Sequence, residues 1–252
     1  MNQDRPLIIA GPCAVENEEQ VMSLAKEIKN LGIKYFRGGA YKPRTDPNSF
    51  QGLGKEGLKL LQKVKDTYGL KIVTEVLDQD TIEDVAEVAD IIQIGSRNMQ
   101  NFELLKKIGE KASNNDILIK RGFQSNLKEV KGAIAYLESY GCKGEIFFCE
   151  RGIRTFANNE YSRFTLDVNI VSALKKMNFK HRIIIDPSHT AGNKDYVENL
   201  TYSGIASGAD GIIIEVKLNN ECKALCDDQQ AITIEDLKRI IEKSNKIYDI
   251  IK

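Results

Sequence analysis

Eight short apolar segments recur along the 252-residue chain, and each precedes a longer segment with helical periodicity. The eight predicted strands are Leu7–Ala10, Lys34–Arg37, Lys71–Glu75, Ile91–Ile94, Ile117–Lys120, Glu145–Cys149, Arg182–Asp186 and Gly211–Val216. Apolar stripes predict helices over Glu18–Leu31, Leu127–Tyr140 and Ile234–Ile251, among others. This alternation predicts an α/β fold, a (β/α)8 TIM barrel formed by residues 1–252 as a single domain. A doubly wound open sheet is the alternative.

The charge balance of the chain excludes several classes of partner. Lys plus Arg and Asp plus Glu both number 36, so nothing indicates a nucleic-acid or anionic-membrane partner. No apolar run approaches the ~18 residues of a membrane span, and the first residues lack a signal-peptide pattern. Five cysteines without a C-x-x-C pair argue against a disulfide framework or zinc ribbon. We therefore expect a cytoplasmic protein that binds small molecules.

Polar residues follow every predicted strand. TIM-barrel enzymes place their chemistry on the loops after the strands, and here each exit carries a charged residue, a histidine or a cysteine. These residues include Cys13, Lys42, Glu75, Arg97, Lys120, Arg121, Glu150, Arg151, Asp186, His189 and Glu215. Because unpaired charge at a barrel mouth is costly to desolvate, the set predicts that a ligand binds there.

A metal site is predicted where strands one, seven and eight meet. Cys13, His189 and Glu215 follow these strands, which are neighbours in a closed barrel. Asp227 or Asp228, in the loop after strand eight, is a candidate fourth ligand. A thiolate, an imidazole and two carboxylates suit one divalent ion of Mn²⁺, Fe²⁺, Co²⁺ or Zn²⁺ better than Mg²⁺ or Ca²⁺.

The remaining cysteines and the second histidine are predicted to be structural. His181 precedes a strand at the opposite end of the barrel and is predicted to lie at the surface. The other four cysteines are predicted to be small buried hydrophobic residues: Cys142, Cys149, Cys222 and Cys226.

A cationic set follows the middle strands. It comprises Arg37, Lys42, Arg44, Arg97, Lys120, Arg121, Arg151 and Arg154. Arginine binds phosphate through two parallel hydrogen bonds and lysine acts as a point charge, so the set predicts a substrate with two phosphates, or with a phosphate and a carboxylate. A metal beside such a set indicates carbonyl polarisation next to a phosphorylated co-substrate.

At these residues the sequence resembles the short type I beta group of 3-deoxy-D-arabino-heptulosonate 7-phosphate (DAHP) synthases, which catalyse the first step of the shikimate pathway. The resemblance runs from near residue 8 to near residue 230. Its motifs are Gly11-Pro12-Cys13-Ala14-Val15-Glu16, Arg37-Gly38-Gly39-Ala40-Tyr41-Lys42-Pro43-Arg44-Thr45, Ile94-Gly95-Ser96-Arg97-Asn98, Lys120-Arg121-Gly122, Cys149-Glu150-Arg151-Gly152-Ile153-Arg154-Thr155-Phe156 and Asp186-Pro187-Ser188-His189.

The resemblance implies a transferase that condenses phosphoenolpyruvate with erythrose 4-phosphate and releases phosphate. C3 of phosphoenolpyruvate attacks the metal-polarised aldehyde, water adds at C2, and the hemiketal phosphate expels phosphate. The implied metal ligands are Cys13, His189, Glu215 and Asp227. Cys13 and His189, with Lys42, are thus also the implied catalytic residues. A homodimer or homotetramer is expected by resemblance.

The resemblance also implies the substrate contacts. The phosphate of phosphoenolpyruvate would bind Arg97, Lys120 and Arg151, with the backbone N–H of Ser96 facing it. Its carboxylate and reacting carbon would lie near Arg37 and Lys42, and erythrose 4-phosphate would meet Arg44 and Thr45.

The chain departs from the family pattern after the eighth strand. Lys217 stands where the family usually has His, and Asp227-Asp228 replaces the usual Asp-Gly. Ser96 replaces a common Ala. The sequence leaves no room before the first strand for a regulatory extension, so control by aromatic amino acids through such a domain is not expected.

Three other functions remain open. 3-Deoxy-D-manno-octulosonate 8-phosphate synthase, which takes arabinose 5-phosphate, is the closest, but it reads Lys-Ala-Asn-Arg where this chain has Lys42-Pro43-Arg44-Thr45. A Schiff-base aldolase would use Lys120 as its nucleophile. A barrel that has lost catalysis would carry its lesion at the altered Lys217 loop.

Overall fold

Eight parallel strands close into a barrel in the computed structural model, which describes residues 5–156 and 163–251. The strands are β1 (Leu7–Gly11), β2 (Tyr35–Arg37), β3 (Lys71–Val76), β4 (Ile91–Ile94), β5 (Asp116–Lys120), β6 (Ile146–Glu150), β7 (Arg182–Ile185) and β8 (Gly211–Lys217). Each strand pairs in parallel with the next, and β1 pairs with β8 from Leu7↔Gly211 to Gly11↔Glu215. The predicted TIM barrel is confirmed, and the open-sheet alternative is wrong.

Helices follow the strands and cover the barrel. They are α1 (Glu18–Asn30), α2 (Lys55–Tyr68), α3 (Ile82–Val88), α4 (Phe102–Lys111), α5 (Leu127–Ser139), α6 (Val168–Lys176), α7 (Pro187–Ala191), α8 (Lys194–Ala206) and α9 (Ile234–Ile251). Side chains at the helix starts accept the free backbone N–H groups: Asn17 caps α1, Asn126 caps α5 with a capping box, and Asp167 caps α6. None of the described helices has both the length and the apolar character needed to cross a membrane.

Two apolar layers stabilise the fold. Inside the barrel, Ile9, Val73, Ile91, Leu118 and Phe147 form part of one buried cluster. A larger cluster lies between the strands and the helices. Because successive side chains of a strand point to opposite faces, each strand contributes to both layers. Buried polar residues at the carboxyl ends of the strands lie beyond the inner layer and form the floor of the site.

The predicted strand ends agree with the structure to within one residue. β7 ends at Ile185, one residue early, because the Asp186 carboxylate accepts the backbone N–H of His189 at 2.9 Å and begins α7. A further strand, β9 (Ile232–Thr233), was not predicted; it pairs with Val216 and Lys217 of β8.

The predictions for the structural cysteines and for His181 need correction. Cys149 and Cys226 are buried as predicted, but Cys142 and Cys222 are half-buried. His181 does lie before β7 at the far end of the barrel, yet its side chain is only 10% exposed. It packs on the edge of Phe179 and lies 3.3 Å from Glu138, so it is part of the helix–barrel packing and not a surface residue.

Candidate active site

A cavity of about 490 Å³ opens at the carboxyl end of the barrel. Most of the predicted site residues line it: Arg37, Lys42, Arg44, Thr45, Ser96, Arg97, Lys120, Arg151, His189 and Asp227. Cys13 and Glu215 are buried, 3% and 0% exposed, and belong to the same group of residues as His189 and Asp227. The topology therefore brings the strand exits together as the sequence indicated.

Four potential metal ligands converge at one wall of the cavity. One ligand atom each from Cys13, His189, Glu215 and Asp227 lies within 4.8 Å of all the others. Cys13 Sγ is 3.3 Å from Asp227 Oδ2, and His189 Nε2 is 3.4 Å from Glu215 Oε1. These distances allow all four atoms to contact one ion.

Neighbouring residues orient the histidine and the glutamate. Asp186 Oδ2 lies 2.9 Å from His189 Nδ1, so Nε2 faces the cluster. Burial lowers the pKa of His189, against the attraction of Asp186 and Glu215 for the charged form, which favours the neutral imidazole that a metal requires. Gln230 Nε2 donates to Glu215 Oε2 at 2.6 Å. Glu215 Oε1 is buried 3.2 Å from Arg37 Nη2 and accepts no hydrogen bond from the described part of the chain.

The donor set fits a divalent cation. One sulfur, one imidazole nitrogen and two carboxylates are compatible with Mn²⁺, Fe²⁺, Co²⁺ or Zn²⁺. The buried Glu215 oxygen without a hydrogen bond would gain a partner if an ion were bound.

The structure separates the two adjacent aspartates. Asp227, in the left-handed conformation at φ 54°, turns its carboxylate toward the cluster. Burial disfavours its charge, but His189 and Lys42 hold its pKa down to about 2. Asp228 instead accepts a hydrogen bond from Lys217 Nζ at 2.8 Å. Asp227 is thus the aspartate placed among the candidate ligands.

Cys226 is a site residue that the sequence analysis missed. Its Sγ lies 3.4 Å from Cys13 Sγ, and Arg44 Nη1 donates to it at 2.6 Å. The hydrogen bond between the thiols raises the pKa of Cys13 and lowers that of Cys226. Its position directly before Asp227 was the available signal, but a single cysteine usually packs as a small apolar residue.

Lys42 joins the candidate ligands to the cavity. Its Nζ lies 3.1 Å from Cys13 Sγ and 3.2 Å from the Cys13 carbonyl oxygen. Burial opposes the charge, but negative charge on Cys13 and Cys226 in their thiolate form, and on nearby carboxylates such as Glu215, raises the pKa of Lys42 above its usual value. Lys42 therefore presents a buried ammonium group beside the thiol.

Some of the predicted cations are already paired with carboxylates. Lys120 Nζ lies 2.6 Å from Asp186 Oδ2 at the cavity wall. Arg121 is held by Glu150 at 2.9 Å and Asp167 at 2.8 Å. Arg121, which the sequence analysis counted among the cations at the strand exits, does not line the cavity. Its charge is neutralised by the two carboxylates behind the cavity wall.

Other cations face the cavity without a carboxylate partner. Within residues 5–156 and 163–251, no carboxylate forms an ion pair with Arg97, Arg151 or Arg154. Arg151 is buried, and its Nη1 has no hydrogen-bond partner there; burial lowers its pKa. Arg97 Nη2 donates to Thr45 Oγ1 at 3.3 Å. This wall of the cavity can bind anions.

Comparison with known proteins links this geometry to an enzyme family. Residues 2–252 match the DAHP synthetase I family. A phospho-2-dehydro-3-deoxyheptonate aldolase of Thermotoga maritima is 46% identical over 242 residues, 96% of this chain and 70% of the relative. A 2-dehydro-3-deoxyphosphooctonate aldolase of Geobacter sulfurreducens is 30% identical over 268 residues, 99% of this chain and 95% of the relative.

Comparison with solved structures also finds DAHP synthases. The crystal structure of the Thermotoga maritima DAHP synthase superimposes with a TM-score of 0.90 at 44% identity, covering 99% of this chain and 70% of that one. A truncated form of the Thermotoga maritima synthase gives a TM-score of 0.87 at 42% identity, covering 99% and 88%.

Proposed function

The chain belongs to the DAHP synthetase I family, whose reaction condenses phosphoenolpyruvate with erythrose 4-phosphate, and we propose that it does so with one divalent metal ion held by Cys13, His189, Glu215 and Asp227. The observation that carries this proposal is the convergence of these four ligands beside a cation-lined cavity. Residues 1–252 would act together as one catalytic barrel domain. The ion, when bound, would supply Lewis-acid polarisation of the aldehyde.

The cations would hold two anionic substrates together against their mutual repulsion. Three of them, Arg97, Lys120 and Arg151, line one cavity and would take the phosphate of phosphoenolpyruvate, with the backbone N–H of Ser96. Arg37 and Lys42 would take its carboxylate. This pairing of opposite charges would fix the reacting carbons at close range and reduce the entropic cost of the encounter.

Erythrose 4-phosphate would bind at the outer part of the same cavity. Arg44 and Thr45 lie on its wall, and Thr45 is already linked to Arg97. The C3 of phosphoenolpyruvate would form a bond with the aldehyde carbon, water would add at C2, and the C2–O bond to phosphate would then break. Lys42, beside Cys13, would stabilise the negative charge that develops on the aldehyde oxygen.

The alternatives receive less support. Relatives that carry the octulosonate name are 30% identical to the chain, against 46% for the heptonate enzyme. A Schiff base at Lys120 would require a free amine, whereas Lys120 Nζ is engaged by Asp186 at 2.6 Å. The altered loop retains Asp227 within the cluster, which argues against a lost active site.

The proposal also covers the oligomeric state of the protein and its location in the cell. We infer a homodimer or homotetramer by likeness to the family. All five cysteines are free, although two sulfurs lie only 3.4 Å apart. Free thiols at this distance suit a reducing compartment such as the cytoplasm.

A phosphate-release assay tests the function. The purified protein is incubated with phosphoenolpyruvate and either erythrose 4-phosphate or arabinose 5-phosphate, with Mn²⁺ or with a chelator. We expect release with erythrose 4-phosphate and Mn²⁺ that stops with chelator. Release only with arabinose 5-phosphate would replace this proposal with the octulosonate reaction, and undiminished release with chelator would refute the metal requirement.

A further inference from the structure

Two phenyl rings lie where three guanidinium groups converge that form no ion pair within the described residues. Phe123 and Phe164 are stacked, with centroids 5.2 Å apart and ring planes 6° apart. The guanidinium carbon of Arg151 lies 4.3 Å from the Phe164 centroid and 5.0 Å from that of Phe123. Those of Arg154 and Arg97 lie 5.3 Å and 5.7 Å from the Phe123 centroid. All three distances to Phe123 are within the range of a cation–π interaction.

Backbone hydrogen bonds hold the two rings in place. Arg154 N donates to the Phe123 carbonyl at 2.8 Å, and Phe164 N donates to the Thr190 carbonyl at 3.0 Å. Gly152, at φ 85°, allows the segments to pack closely, since a Cβ there would lie 2.6 Å from the Phe164 Cβ. The two rings therefore lie on the cavity wall that the segments after β5 and β6 form.

The arginines beside Phe123 differ from the cations of the same barrel that are paired with carboxylates. A carboxylate partner, as in the Lys120–Asp186 pair, neutralises a cation and competes with an incoming phosphate. An aromatic face attracts a cation through its quadrupole but leaves the net charge of the cation unchanged. A phenyl support is thus suited to holding several guanidinium groups close together while each remains able to bind an anion.

We propose that Phe123, stacked on Phe164, is a positioning residue that holds the guanidinium groups of Arg97, Arg151 and Arg154 as an un-neutralised binding site for the phosphate of phosphoenolpyruvate. The inference rests on the proposed function for the identity of the substrate. It adds Arg154 to the phosphate-binding cations and gives the two phenylalanines a role in substrate affinity. Both rings would act on the substrate through the arginines.

The test compares a variant without the ring with one that keeps it. Phe123→Leu preserves apolar volume and removes the π face, whereas Phe123→Tyr keeps it. Phe102→Leu, which removes a stacked ring on α4 outside the cavity, is the matched control. KM for each substrate and kcat are measured, and phosphoenolpyruvate binding is measured separately by calorimetry.

We expect Phe123→Leu to raise KM and Kd for phosphoenolpyruvate about tenfold. Its kcat and its KM for erythrose 4-phosphate should change less than twofold. Phe123→Tyr and Phe102→Leu should stay within about twofold of the wild type. An unchanged Kd in Phe123→Leu, an equal loss in Phe123→Tyr, or a loss confined to kcat would overturn the inference.

Two further measurements keep the test decisive. If Phe123→Leu does not fold, Arg154→Met replaces it, because Arg154 is exposed and its substitution should not disturb the core. We expect Arg154→Met to raise the Kd for phosphoenolpyruvate about threefold or more. An unchanged Kd would contradict the inference. Calorimetry measures phosphoenolpyruvate binding without turnover. If Phe123→Leu weakens this binding but the wild-type protein releases no phosphate, the proposed function is refuted and the inference about Phe123 is not. A wild type that turns over with no effect of Phe123 would refute the inference alone.

Discussion

Lys217 and Asp228 form an ion pair, with Lys217 Nζ 2.8 Å from Asp228 Oδ1. Lys217 is the last residue of β8, and Asp228 lies in the loop that follows. By the resemblance noted above, the family usually has His and Gly at these two positions. The lysine and the aspartate that depart from this pattern are thus paired with each other. Asp228 also accepts the Ala224 N–H at 2.9 Å, so the pair ties β8 to the loop that carries Asp227.

This relationship predicts that the two substitutions are coupled. Asp228→Gly alone should lower the free energy of unfolding by about 1 kcal/mol, because it leaves the largely buried Lys217 without its partner. The double variant Lys217→His/Asp228→Gly should recover most of this loss. Urea unfolding of the single and double variants measures the coupling. Purely additive effects would show that the pair does not link the two positions.

The buried carboxylate of Asp186 is predicted to control metal affinity through His189. Asp186→Asn removes the charge that holds the Nδ1 side of the imidazole, so the metal Kd should rise about 10- to 100-fold. The phosphoenolpyruvate Kd should not rise, because Lys120 loses its neutralising partner. Competition with a chromophoric chelator gives the metal Kd. An unchanged value would contradict the orienting role.

Cys13 is predicted to be required for metal retention and not for folding. Cys13→Ala should lose bound metal and metal-dependent activity while its circular dichroism spectrum stays unchanged, since a thiolate ligand is lost without a large change in volume. Cys222→Ala, half-buried in the loop after β8, is the control and should retain metal. Elemental analysis after dialysis reports the metal content. Full metal occupancy in Cys13→Ala would refute the assignment.

A surface network on α8 and α9 predicts a pH-dependent contribution to stability. Hydrogen bonds from Arg239 and Lys243 lower the pKa of Glu198 from its ordinary 4.5 to about 2. A lowered folded-state pKa adds stability above about pH 4.5 that is lost as the pH falls toward 2. Because its partners are about half exposed, Glu198→Gln should cost at most about 1 kcal/mol at pH 7.

The same cost should be smaller at pH 3, where part of the contribution is already lost. Urea unfolding at the two pH values makes the comparison. Glu242→Gln, exposed on α9, is the control and should have little effect at either pH. An equal cost for Glu198→Gln at both pH values would show that its charge does not stabilise the fold.

The barrel strands could be predicted because the sequence pattern is local. β4 begins and ends at the predicted residues, since three of the four residues of Ile91–Ile94 are isoleucine and the segment lies between Asp90 and Gly95. β9 could not be predicted, because two residues carry no period and the strand exists only through its pairing with Val216 and Lys217. The prediction of strands failed where a strand depends on a contact between residues distant in the sequence, because no local pattern records such a contact.

In the candidate site, too, some residues could be predicted from the sequence and others could not. Cys13, His189 and Glu215 could be grouped because barrel closure makes their strands neighbours. Residue spacing alone left Asp227 and Asp228 as alternatives and the resemblance favoured Asp227; the loop geometry places the Asp227 carboxylate in the cluster. Phe123 drew no attention because a phenylalanine in a sequence is typical of a core, and its position beside the arginines is a tertiary property.

Anomalous scattering from crystals soaked in Mn²⁺ and phosphoenolpyruvate tests the central claim most directly. We predict one strong peak at a coordination distance of about 2.0–2.5 Å from Cys13 Sγ, His189 Nε2 and carboxylate oxygens of Glu215 and Asp227, with phosphate density against Arg97 and Arg151. A peak elsewhere in the barrel, or no peak at these four ligands while phosphoenolpyruvate is bound, would contradict the account.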